Sequence, residues 1–288
     1  MGIEKIKNLA MDSSITKFVE KSIIPIILYI DDNETGKSKA VIQGTGTLFK
    51  FIDNYFLITA AHVLEPIDEY YEKNIGIPVG KNNSDIIKLH NCKRYLLTDK
   101  EISDKYDFGI IQLNNELGKK LEQDYYFLTE NNISFRLYDK MIIYITGYPN
   151  KWTVFNEKEN VLGATPFKFL SRRKVQKKEY TKYDPNAHIL AEYAEVYYLG
   201  GDVNRYVNAE KKLNSISGCS MWVIENNQTG IWSAEKCVKV IGIQSNVMEN
   251  EYIKGTKWIY LAEAFKNIDE NIFNLLYACR EKQLQNYS

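Results

Sequence analysis

Cysteine, histidine and proline are scarce in this sequence, and each scarcity closes off a class of protein. Four cysteines, Cys92, Cys219, Cys237 and Cys279, are spread over 288 residues. None forms a CxxC pair, and none stands at metal-ligand spacing from the three histidines. A disulfide framework and a zinc site are therefore both unexpected, and a reduced, intracellular compartment is the natural setting. The reading requires no metal and no cofactor. Only six prolines are present, and no Pro/Gly linker, repeat or low-complexity tract divides the chain. Net charge is missing too: 37 Lys and Arg balance 37 Asp and Glu, so no global field draws the chain to nucleic acid. The local run Arg172-Arg173-Lys174 with Lys177-Lys178 reads as a solvated loop or strand edge rather than a nucleic-acid patch. Long apolar runs are absent as well. The run 23–30 contains Pro25 and falls far short of the ~20 residues that span a bilayer. The N-terminal segment has no apolar signal core. No membrane partner is expected, and the location reads as cytoplasmic.

What is present points to β structure. Twenty-one tyrosines and many β-branched residues fall in short runs separated by Asn- and Asp-rich turns. Strands are predicted over 24–29, 40–51, 55–59, 108–113, 141–146, 153–155, 166–170, 189–199, 221–224 and 238–245. A short helix capped by Ser13 or Ser14 runs through Val19 to Ser22. A longer one over 261–285 carries Leu261, Phe265, Ile268, Ile272, Leu275, Leu276 and Cys279 on one face. The polar segment 117–135 joins two lobes.

Three local patterns carry chemistry. In the first, Gly44-Thr45-Gly46 precedes a strand that ends Leu57-Ile58-Thr59-Ala60-Ala61-His62. Small residues let the chain turn tightly there, and a histidine at a strand end suits a general base. In the second, Asp107 begins the apolar run Phe108-Gly109-Ile110-Ile111. A half-buried acid at that boundary needs a partner, and an imidazole N–H would supply one. Asp104 is its rival. In the third, Asn214-Ser215-Ile216-Ser217-Gly218-Cys219-Ser220 is a turn leading into a strand. Ser217 is the serine followed by glycine, and Ser215, Ser220 and Cys219 are its rivals.

Taken together, Thr59-Ala60-Ala61-His62, Asp107-Phe108-Gly109-Ile110-Ile111 and Ser215-Ile216-Ser217-Gly218 resemble the His, Asp and Ser motifs of the trypsin/chymotrypsin-like serine peptidase superfamily. Their order, His then Asp then Ser, matches that family and not subtilisin or the α/β-hydrolases. Tyr144 to Pro149 looks like an early strand of a second barrel, and Val240 to Asn246 like the strand that pairs with substrate. The resemblance implies an all-β fold of two antiparallel six-stranded β-barrels with a C-terminal α-helix. The chain is then one peptidase domain, 1–288. Its N-terminal barrel covers about 15–120, its C-terminal barrel about 135–260 and its helix about 261–285. The resemblance implies a catalytic triad of His62, Asp107 and Ser217, working through an acyl-enzyme on a polypeptide substrate. The oxyanion hole would use the backbone N–H groups of Ser215 and Ser217, with Ile216 between them. Ser245, Asn246 and Val247 would wall the substrate pocket. Lys211 would lie at its floor and favour an acidic side chain, or else in solvent.

The chain also departs from the family. Ser215 stands where the family usually has glycine, which predicts a strained or partner-dependent hole. Ile216 stands where secreted trypsins carry the acid that pairs with a freshly cut N-terminus, so activation by such cleavage is not expected. An activating protein partner is expected instead. Composition rich in Asn, Lys, Ile and Tyr reads as bacterial, and partner gating suits a stress or defence role. Cys219 is the nucleophile position to weigh against Ser217, as in viral cysteine relatives of this fold. A catalytically weak or inactive peptide-binding module is the alternative function. His90 and His188 carry no motif and read as structural or surface residues.

Overall fold

The computed structural model describes residues 8, 13–32, 37–65, 74–79, 85–97, 99–150, 153–156, 161–174, 183–193, 195–198, 205–208, 215–225, 233–248 and 251–285. Helix α1 (Ser13–Ser22) leads into β1 (Ile23–Asp32), β2 (Lys37–Phe51) and β3 (Asn54–Thr59). After these come α2 (Ala61–Leu64), β4 (Ile75–Val79), β5 (Asp85–Lys88), β6 (Lys93–Leu96), α3 (Lys100–Tyr106), β7 (Gly109–Leu113) and α4 (Asn115–Leu121). The second half holds β8 (Ile142–Gly147), β9 (Thr153–Asn156), β10 (Val161–Ala164), β11 (Phe167–Arg172), β12 (His188–Glu192), β13 (Glu195–Tyr198), β14 (Arg205–Asn208) and β15 (Ser220–Ile224). It ends with α5 (Ala234–Cys237), β16 (Val238–Met248), β17 (Tyr252–Lys257), α6 (Trp258–Ala264) and α7 (Glu270–Gln285).

The strands make two curled antiparallel sheets, a chymotrypsin-like pair of barrels. The first sheet has seven strands in the order β5-β4-β1-β2-β3-β7-β6, and the second eight in the order β12-β17-β16-β15-β8-β11-β13-β14, with β9 and β10 as a separate hairpin. This is the expected double barrel with a C-terminal helix, with strands beyond those read from the sequence extending both sheets. The strands not read from the sequence, β4, β5, β6, β10, β14 and β17, have four to six residues each, and a charged residue, Gly or Pro interrupts the apolar pattern in every one. The single strand expected over 189–199 is two: β12 pairs with β17, whereas β13 pairs with β11 and β14.

Three hydrophobic cores explain why the early strands read as near-continuous apolar runs: both of their faces are covered. In β1, Ile24 and Ile26 point into the first barrel, whereas Ile23 and Ile27 point the other way, into the layer between the barrels. β3 repeats the pattern, with Tyr55 and Leu57 inward and Phe56 and Ile58 outward. Pro25 is tolerated in β1 because β4 pairs there only at Ile27 and Leu28, so no ladder bond is lost on that side. The second barrel is filled by Ile143, Ile145, Phe169, Met221, Ile241 and their neighbours.

The layer between the barrels is where the C-terminal helices dock. Phe265 meets Phe51 and Phe56 edge-on at 5.4 and 5.1 Å, and Trp258 meets Phe49 at 4.9 Å. Leu261, Phe265, Ile272 and Leu276 of the expected stripe are buried here. The helix breaks at Asp269, whose Oδ1 accepts from the N–H groups of Asn271 and Ile272 at 3.0 and 3.3 Å. An aspartate in that place starts a new helix rather than continuing the old one. The connector 122–135 is stitched to both sheets: Leu128 N–H donates to Leu48 at 2.9 Å, and Ser134 N–H to Val240 at 2.8 Å. Among the described residues no helix is long and apolar enough to cross a membrane.

Candidate active site

His62, Asp107, Ser217, Ser245 and Asn246 meet in one cleft. β3 ends at Thr59, and Ala60, in extended conformation, caps the one-turn helix α2 that carries His62. Ala60 and Ala61 are fully buried. A larger side chain at either would push the histidine out of place. Asp107 closes the opposite side. It is the C-cap of α3 and adopts the left-handed conformation (φ 43°, ψ 56°), which aspartate tolerates better than most residues. α3 went unread in the sequence because Lys-Glu-Ile-Ser-Asp-Lys-Tyr has no apolar stripe. Its signal was the cap, Asp99, which accepts from Ile102 N–H at 3.0 Å.

Asp107 grips His62 three times. Its Oδ2 and Oδ1 lie 2.9 and 3.0 Å from His62 Nδ1, and Oδ1 accepts the His62 backbone N–H at 3.1 Å. The pairing assigns the proton to Nδ1 and leaves Nε2 as the free base. The histidine side chain is 47% exposed and the aspartate 16%. Burial lowers the His62 pKa, but the Asp107 hydrogen bond and the charges of Asp107 and Glu65 outweigh it, leaving the pKa above the usual 6.5. Asp104 lines the same cleft but takes no part in this contact.

Ser217 lies across a cleft of about 310 Å³ that it lines with His62, Asp107, Ser103, Asp104, Glu65, Ser245, Asn246 and Lys254. No hydrogen bond joins Ser217 Oγ to the His62 ring among the described residues. The turn around Ser217 is pressed onto the first barrel. Thr45 N–H donates to the Ser217 carbonyl at 2.8 Å, and Thr59 Oγ1 donates to the Thr45 carbonyl at 2.8 Å. Thr45 Oγ1 in turn accepts Tyr148 N–H at 2.8 Å, so one buried threonine ties three segments together. Gly218 has φ +86°, and a Cβ there would stand 1.9 Å from Thr59 Oγ1 and 2.4 Å from the Thr45 carbonyl. This close approach is why glycine follows the serine.

Ser215 stands at φ +74°, in the region that favours glycine. Neither its N–H nor that of Ser217 donates to an acceptor among the described residues. Ile216 is buried in the second barrel's core. The rival nucleophiles are sequestered. Cys219 is fully buried, and burial pushes its thiol pKa far up. Ser220 Oγ is locked 2.7 Å from Thr47 Oγ1 in the interior.

Beyond the serine turn the placements diverge. Ser245 and Asn246 line the cleft on β16, at the point where its register shifts against β17. Val247 packs against the second barrel's core and is not a lining residue. Lys211 lies outside the described residues. The lysine that does line the cleft is Lys254, nearly buried and paired with Asn246 across the sheet. Sequence reasoning missed it because Tyr252-Ile253-Lys254-Gly255-Thr256-Lys257 does not look like a strand. Within the basic run, Arg173 faces Asp139 and Lys174 faces Glu192. Lys177 and Lys178 lie outside the described residues.

No protein-family model and no curated protein sequence matches the chain. Solved structures do resemble it. They include the scabies mite inactivated protease paralogue S-I1, 13% identical over 88% of this chain and 96% of that one, with a TM-score of 0.49. The protease Anisep from Arthrobacter nicotinovorans is 14% identical over 83% and 90% of the two chains, with a TM-score of 0.45. Catalytically active tobacco etch virus protease in complex with product is 11% identical over 85% and 76%, with a TM-score of 0.41. These neighbours are chymotrypsin-like protease folds. Their likeness to this chain is one of fold and assigns no role to any residue.

Proposed function

We propose that this chain is a serine endopeptidase in which Ser217 attacks a peptide carbonyl, His62 takes its proton, and Asp107 holds the imidazole. The observation that carries the reading is the triple contact of Asp107 with His62 in the cleft that Ser217 also lines. His62 Nε2 is the base for Ser217 Oγ. The developing imidazolium is stabilised by the carboxylate, and the same proton then passes to the leaving amine. The N–H groups of Ser215 and Ser217, which meet no acceptor among the described residues, are the natural donors to the oxyanion. The edge at Ser245 and Asn246 is the natural place for substrate backbone to pair.

Ser215, at a positive φ, supports regulation by a protein partner that completes the hole, and Ile216 argues against activation by a newly cut N-terminus. An apolar residue packed in the core offers no charge to a fresh α-amino group. The test is covalent labelling with a fluorophosphonate. Wild type is expected to label and Ser217→Ala to lose all label, with Cys219→Ala labelling as wild type does. A wild type that never labels, alone or with cell extract added, would leave a protease-fold module that binds peptides without cleaving them.

A further inference from the structure

The helix that delivers Asp107 is capped by the opposite barrel. The last carbonyls of a helix lack donors of their own. In α3, the Ser103 carbonyl takes Asp107 N–H at 2.7 Å. The two carbonyls immediately before Asp107 are served from the second sheet. His188 Nε2 lies 2.6 Å from the Lys105 carbonyl, and Thr256 Oγ1 donates to the Tyr106 carbonyl. His188 and Thr256 are direct partners across β12 and β17, so they form one paired unit. The tautomer of His188 is settled by its other nitrogen. Nδ1 accepts Asp184 N–H at 2.9 Å, so Nε2 carries the proton and donates it to Lys105. A Lys105–Asp184 ion pair at 2.8 Å and the Tyr106–Tyr260 stack at 4.7 Å brace the same two residues.

We propose that His188, together with Thr256, is a positioning residue for the catalytic acid: the second barrel clamps the Lys105–Tyr106 backbone, and through it holds Asp107 on His62. The proposal rests on the peptidase reading for the roles of Asp107 and His62, but not for the clamp itself. Asp107 occupies a left-handed conformation that L residues resist. It keeps that conformation only while the two peptide units before it are fixed. The catalytic base and acid belong to the first barrel, yet their alignment depends on how the second barrel is docked. The clamp stays set across neutral pH. Burial lowers the His188 pKa to about 4; the bond to the Lys105 carbonyl and the Asp184 charge oppose the fall, the Lys254 and Lys105 charges add to it, and the ring remains neutral and keeps both bonds.

Titration of the His62 imidazole by NMR tests this without turnover, and three histidines in the chain make assignment direct. His188→Phe keeps the ring's bulk and removes both nitrogens. It is expected to lower the His62 pKa by about half a unit or more, because the Asp107 contacts that raise it slacken. The kcat is expected to fall roughly 10- to 100-fold, with KM within about twofold. His188→Gln restores a donor for Lys105 and recovers most of the loss. Thr256→Val acts in the same direction, less strongly. A folded His188→Phe with unchanged His62 titration and unchanged kcat overturns the proposal. Should that variant not fold, unchanged His62 titration in Thr256→Val overturns it. If Ser217 never labels, the peptidase reading fails, while the titration still decides the clamp.

Discussion

The two walls of the cleft are built on opposite plans. The first-barrel wall holds its groups by hydrogen bonds to side chains: Asp107 accepts three contacts from His62, and a capped helix lies beneath them. The second-barrel wall holds Ser217 by its backbone. One carbonyl is bonded to Thr45, one glycine sits in a space that admits no Cβ, and one serine adopts a glycine-like angle. On the proposed reading, the base would be oriented by side-chain contacts and the nucleophile by shape. The two halves should fail differently: substitution on the first wall should cost rate with little loss of fold, and substitution on the second should cost fold as well.

The largest expected effect on the first wall comes from Asp107→Asn. It leaves the geometry but frees the wrong tautomer of His62, and kcat should fall on the order of 10³- to 10⁴-fold. Asp104→Asn, in the same cleft, should change kcat by less than about threefold, because Asp107 is the acid that makes the three His62 contacts. The pH profile separates the two further. His62 must be neutral to act as a base, so kcat/KM falls as pH drops through its raised pKa. Without the Asp107 charge the lowering effect of burial is unopposed by its main partner, and that limb should move to lower pH. A profile that shifts in Asp104→Asn and not in Asp107→Asn would reverse the assignment of the acid.

On the second wall the comparison is sharpened by Gly218→Ala. The added methyl meets Thr59 Oγ1 and the Thr45 carbonyl, and the residue must hold φ +86°. Together these should cost on the order of 3 kcal/mol of stability, measured by urea unfolding. Gly163→Ala, at an exposed strand position, should change stability by no more than about 0.5 kcal/mol. An equal loss in both would mean that the serine turn is not pressed onto the first barrel as tightly as the contacts imply.

The same contrast accounts for what could be read from the sequence. His62 and Asp107 announce themselves because each sits at the end of a recognisable apolar strand, with its requirements written within a few residues. Ser217 is marked by the glycine that follows it. Thr45, Lys254, His188 and Thr256 carry no such mark. Thr45 acts on Ser217 across 172 positions of chain, and His188 on Lys105 across 83. Contacts that are distant in the chain leave no periodicity to detect. The same holds for β4, β5, β6 and β17, which are strands because neighbours pair with them rather than because their own residues demand it.

Ser215 is the smallest of the expected effects and the most informative about the second wall. Serine at φ +74° costs roughly 1 kcal/mol or more relative to a relaxed conformation. Ser215→Gly removes that cost, but glycine also loses about 0.5–1 kcal/mol of stability through the freedom it gives the unfolded chain. The two nearly cancel, so the unfolding midpoint should barely move. Any change in activity then reports on the oxyanion hole rather than on the fold. If the hole is already formed by Ser215, kcat should stay within about threefold of wild type. If the turn flips out of its left-handed state for part of the time, glycine should raise kcat and the rate of fluorophosphonate labelling together, and a partner that activates the wild type should have less left to do on the variant.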